Sequence, residues 1–119
     1  MPLEIKSRIV SDAVVVDVSG RLCFLEIALH QHINKMLEDG HRGFVVNLAD
    51  VPYVDSFGLG QLVSIWTSIR SKDGQLIFLR PVDHVQKLFQ ITRLNSIFRI
   101  SDDEAQAVRS ARTNFAASA

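Results

Sequence analysis

The apolar residues of this chain keep changing their spacing, and that alternation limits its possible folds more than any single motif does. Ile5, Ser7 and Ile9 alternate with Lys6 and Arg8, the two-residue period of a half-buried strand over about residues 4–10. Ser11-Asp12 reads as a turn, and Ala13 to Val18 as a second strand that ends at Ser19-Gly20 and closes a hairpin. From Phe24 to Leu37 the period lengthens: Leu25, Leu29, Ile33 and Met36-Leu37 fall on one helix face, with Gly40 where a C-terminal cap is wanted. Phe44-Val45-Val46-Asn47-Leu48 is a continuous apolar run, the signature of a strand covered on both faces. A helix follows Ser56, with Leu59, Leu62, Val63, Trp66 and Ile69 as its buried face and Asp73-Gly74 at its end. Gln75 to Leu79 is the next strand, and Pro81, Val85, Leu88 and Phe89 mark another helix. Ile97 to Ile100 reads as a short last strand, and Ser101-Asp102-Asp103-Glu104 as a helix start with its carboxylates at the positive end of the dipole. Ser110 to Ala119 has no periodic core and reads as a frayed tail. The order β-β-α-β-α-β-α-β-α predicts a single α/β domain. Its central sheet is mostly parallel, with an antiparallel edge strand and helices packed against it.

Charge and cysteine content narrow the function. Lys plus Arg and Asp plus Glu both number 13, so the basic excess that marks most nucleic-acid binders is missing and no nucleic-acid partner is expected. No segment has the length and apolarity of a membrane span or a signal peptide, so a cytoplasmic protein without a membrane partner is expected. Cys23 is the one cysteine, which excludes an internal disulfide and fits a reducing compartment. It reads as a small, partly buried apolar residue. His30 and His32 point to different helix faces, while His41 and His84 stand in a turn and at a helix start. That spacing offers no metal site, and no cofactor is implied.

The segment Val51 to Gly60, which contains Asp55-Ser56-Phe57-Gly58-Leu59-Gly60, carries the most information. It joins a buried strand to an amphipathic helix at the carboxyl edge of an α/β sheet, where sites form. Read structurally, Ser56 caps the helix through its hydroxyl, and Gly58 and Gly60 let the helix pack close to the sheet.

Further along, Arg80-Pro81, Leu88-Phe-Gln-Ile-Thr-Arg-Leu94 and Ile97-Phe98 follow in order. Together these segments resemble the STAS family of anti-sigma-factor antagonists. That family's pattern is an apolar strand, Asp-Ser-Ser-Gly-Leu-Gly, a helix, a strand, a helix with Leu-x-x-Thr-Gly-Leu, and a short Phe-containing strand. The resemblance runs from about Glu4 to Arg109, which makes 1–119 one STAS domain. It implies a regulatory protein, not an enzyme, that binds an anti-sigma factor which is also a serine kinase. Ser56 aligns with the serine that the kinase phosphorylates, and a metal-dependent serine phosphatase would reset it. Asp55, Ser56, Phe57, Gly58 and Leu59 would form the partner-binding patch. The chain departs from the pattern in two places: Phe57 replaces the second serine, and Gly20-Arg-Leu-Cys23 stands for Gly-Glu-Leu-Asp.

Other readings have less behind them. A constitutive scaffold of the same fold would use Ser56 only as a cap. A nucleotide binder rests on a helix N-terminus alone. A nucleophile elbow would need Gly where Val54 stands, and a serine relay would need His30 or His84 brought to Ser56.

Overall fold

The computed structural model describes residues 3–23 and 27–118, with side chains through Arg112. Strands β1 (Glu4–Val10) and β2 (Ala13–Ser19) form the expected hairpin, Ile5 opposite Val18 and Ile9 opposite Val14. Helix α1 (Ala28–Glu38), strand β3 (Gly43–Asp50), helix α2 (Ser56–Ser71) and strand β4 (Gln75–Leu79) follow. Helix α3 (Asp83–Ile91), a single 3-10 turn (Leu94–Ser96), strand β5 (Arg99–Ser101) and helix α4 (Glu104–Ser118) complete the chain. The strands lie in sequence order, β1 antiparallel to β2 and every other neighbour parallel. This is the architecture predicted from the alternating periods.

The two-residue period sorts the side chains onto two cores. Val14, Val16, Phe44, Val46 and Phe78 face α1, α2 and α3, where Leu29, Ile33, Leu62, Ile65, Val85 and Phe89 meet them. Val15, Val45, Ile77 and Leu79 point the other way, onto Ala107, Val108 and Ala111 of α4. A central strand covered on both faces can be apolar at every position, which is why β3 showed no alternation.

Three expectations are corrected. The buried face of α2 is Gly58, Leu62, Ile65 and Ile69. Leu59, Val63 and Trp66 lie on its flank, only partly buried. Helix α4 runs past Ser110, because the small side chain of Ala111 is buried against the sheet and continues the α4 face. Strand β5 starts two residues later than expected, because Leu94–Ser96 first makes a 3-10 turn. That turn is entered through Arg93 at φ 63°, a left-handed conformation that costs a non-glycine residue about 1 kcal/mol. Leu25, read as the first apolar position of α1, lies outside the described residues.

A charged clasp ties the edge strand to α4. Arg8 donates from Nε to Asp17 Oδ2 at 2.7 Å and from Nη2 to Glu104 Oε1 at 2.6 Å. Asn47 Nδ2 adds a bond to Asp17 Oδ1 at 2.8 Å. Hydrogen bonds from the Arg8 guanidinium hold both carboxyls below their ordinary values of 3.8 and 4.5, against an opposing desolvation. Carboxyls whose pKa is depressed by folding stabilise the native state above the ordinary carboxylate range, and that contribution is lost as pH falls through their lowered folded values. Both partners are partly exposed, so solvent screens the pair and the effect is modest. Urea unfolding of wild type and Arg8→Gln should therefore differ more at pH 7 than at about pH 3. An equal gap at both pH values would show that the clasp does not titrate.

Candidate functional site

The loops that follow β2 and β3 are zipped together at the carboxyl edge of the sheet. Leu22 N donates to Tyr53 O at 3.0 Å, and Asp55 N donates to Leu22 O at 3.2 Å. Leu22 and Val54, both buried, form an isolated parallel bridge. This anchor sets where α2 begins. Asp55 is extended (φ −93°, ψ −176°), and its Oδ1 accepts from Gly58 N at 2.8 Å. The first helical bond runs from Leu59 N to Asp55 O at 2.8 Å.

Asp55 is thus the N-cap of α2, and Ser56 is the first helical residue. The structural reading of Ser56 as the cap is corrected: a cap must sit just outside the helix with its acceptor over the third N–H, and Asp55 occupies that place. Ser56 is exposed, its hydroxyl relieved of capping. Phe57 beside it is 60% exposed.

The other members of the expected patch divide. Asp55 is half-buried, with one carboxylate oxygen on the helix. Leu59 is half-buried against the main core. Gly58 is buried, and a Cβ there would lie 2.1 Å from the carbonyl oxygen of Leu22. A residue pressed under a neighbouring backbone presents no surface to a partner, so Gly58 positions the patch without belonging to its outer face. Gly60 has open space around it and is not needed for close packing, contrary to expectation.

Sequence reasoning missed what surrounds Ser56. The Tyr53 ring is exposed at the same corner. Arg21 Cζ stands 4.8 Å from its centroid, and the His84 ring stacks on it at 5.8 Å with planes 10° apart. These residues come from two loops and the start of α3, so no local spacing could have linked them. His30 Nε2 lies 3.5 Å from Ser68 Oγ. Of the two histidines that a serine relay would call on, His30 faces Ser68 and His84 stacks on Tyr53. Among the described residues no group of three His, Cys, Asp or Glu could hold a metal ion, and no helix is long and apolar enough to cross a membrane.

Comparison with known proteins agrees with this geometry. A family model described as STAS domain matches residues 4–107. The anti-sigma-B factor antagonist of Staphylococcus aureus is 31% identical over 103 residues, which is 86% of this chain and 95% of that protein. Among solved structures, an anti-sigma factor antagonist from Mycobacterium paratuberculosis superposes with a TM-score of 0.80 at 20% identity, over 93% of this chain and 95% of the other. SpoIIAA in its unphosphorylated form gives 0.72 at 23% identity, over 92% and 97%. The Bacillus protein in its phosphorylated form gives 0.69 at 22%, over 92% and 100%. At these identities the solved structures speak for the fold, while the family model and the staphylococcal relative speak for descent. With an α/β sheet of the right order and an Asp-Ser step opening α2, the chain belongs to the STAS family of anti-sigma-factor antagonists.

Proposed function

We propose that this chain binds an anti-sigma factor that is also a serine kinase, through the corner formed by Ser56 and Phe57, and that phosphorylation of Ser56 releases it. The observation that carries this reading is the division of labour at the start of α2: Asp55 caps the helix, and Ser56 stands exposed beside an exposed aromatic. A hydroxyl that neither caps nor packs can be modified without cost to the fold. A phosphate would add about −1.5 to −2 charges near neutral pH. It would stand next to the Asp55 carboxylate, so two anions would have to be desolvated together in any interface that covers them. The helix N-terminus tolerates the charge in the free protein. The penalty therefore falls on the complex. The phosphorylated form of the Bacillus relative supports the reading, and a metal-dependent serine phosphatase would complete the cycle. The protein then acts by binding, not by catalysis.

The expected result is that Ser56→Asp binds the purified kinase about 5- to 150-fold more weakly than wild type by titration calorimetry, with its melting temperature unchanged. Incubation with the kinase and ATP should add roughly 80 Da to the Val54–Leu62 peptide of wild type and nothing to Ser56→Ala. Unchanged affinity together with an unmodified peptide would leave a constitutive scaffold as the better description.

A further inference from the structure

We infer that Arg21 is the charged anchor of this docking face, and that the partner surface it meets carries a carboxylate. The inference rests on the docking role proposed above and adds to it the chemistry that selects the partner. Arg21 is exposed and lies in the loop after β2. It directly precedes Leu22, and Ser56 directly follows Asp55. Because Asp55 N is bonded to Leu22 O, Arg21 and Ser56 flank one hydrogen-bonded contact. The loops after β2 and β3 and the start of α3 all meet at the Tyr53 ring, which holds the Arg21 guanidinium.

The geometry leaves the guanidinium ready to bind. Its Cζ lies over the Tyr53 ring, and the guanidinium carries five N–H donors in a fork that a carboxylate grips with two parallel bonds. Among the described residues, both carboxylate ion pairs belong to Arg8, not to Arg21. A side chain already held on an aromatic surface loses less rotamer freedom when a partner arrives. Arg and Tyr together are also the residue types that concentrate binding energy in interfaces. The rim is not uniformly basic: Asp50 and Asp83 are exposed at the same edge of the sheet. A partner that is basic here would favour those acids and be repelled by Arg21, so the sign of the effect at Arg21 separates the two kinds of partner.

The test is titration calorimetry of wild type, Arg21→Lys, Arg21→Ala and Arg21→Glu against the purified anti-sigma factor kinase, with folding checked by amide NMR spectra. Arg21→Ala should bind about ten- to a hundredfold more weakly, Arg21→Glu at least as weakly as Arg21→Ala, and Arg21→Lys in between, since an ammonium keeps the charge but not the fork. Wild-type affinity should also fall more steeply with added salt than that of Arg21→Ala. Wild-type binding with Arg21→Ala within twofold, or tighter binding by Arg21→Glu, overturns the inference and leaves the docking role standing. Absence of wild-type binding removes the docking role, and the inference with it.

Discussion

Gly58→Ala should destabilise the protein by about 3 kcal/mol, while Gly60→Ala, two residues along the same helix, should be neutral or stabilising by up to about 1 kcal/mol. The two glycines share Leu59 as a neighbour in sequence and have opposite surroundings in space. A Cβ at position 58 would lie 2.1 Å from the Leu22 carbonyl oxygen, 2.8 Å from its carbon and 3.1 Å from its Cγ. The nearest of these atoms is backbone, and that carbonyl is already tied to Asp55 N. It cannot swing aside as a flexible side chain would, so the start of α2 must tilt off the β2 loop. That tilt strains the Leu22–Val54 bridge and displaces Ser56 and Phe57. At position 60 a Cβ meets nothing within 4 Å, and alanine supplies only its better helix propensity. Thermal unfolding should show Gly58→Ala melting about 10 °C below wild type, with Gly60→Ala at or above it. Equal melting temperatures would mean that α2 does not rest on the Leu22 backbone. The Gly58 variant should also bind the kinase poorly even where it is folded, because the docking corner has moved.

The other large effect belongs to the aromatic cluster under β4. Phe78 is fully buried, with ring centroids 4.8 Å from Phe98 and 5.8 Å from Phe89. Phe89 and Phe98 meet edge to face at 5.3 Å. Through these rings α3 and the approach to β5 share one contact with the sheet. Phe78→Ala should cost about 3–5 kcal/mol, from the transfer energy of the ring plus the cavity it leaves. Phe78→Leu, which keeps most of the volume, should cost about 1.5 kcal/mol or less. Denaturant unfolding at constant slope measures both. A loss under about 1 kcal/mol for the alanine variant would mean that the site collapses around the missing ring, against the rigidity expected of three interlocked aromatics.

Much of this molecule is legible in its residue order because the information is local. Turn residues at Ser11-Asp12 and a two-residue period imply a hairpin wherever they occur. The unbroken run Phe44 to Leu48 implies a strand covered on both sides, and strands alternating with amphipathic helices imply parallel crossovers. The Asp55-Ser56 step before an apolar helix likewise locates the start of α2 at the carboxyl edge of the sheet. Boundaries and faces were less legible. On α2 several apolar stripes overlap, and composition alone does not say whether Trp66 or Ile65 turns inward. At the C-terminus, Ala111 reads as neutral until a sheet is placed against it.

The finer assignments depend on register between segments far apart in the chain. Asp55 and Ser56 are both good capping residues, and the choice falls to Asp55 because Leu22 O holds its N–H and so fixes where the helix starts. Gly58 and Gly60 are alike in sequence, and they differ because one carbonyl, thirty-six positions upstream of Gly58, lies against only the first of them. Arg21, Tyr53 and His84 carry no shared signal, yet parallel pairing places the two loops and the helix start that hold them side by side. Local periodicity sets which elements form, since each residue's burial repeats with its own helix or strand. Which side chains then share a surface follows from contacts across the sheet, whose register no single segment contains.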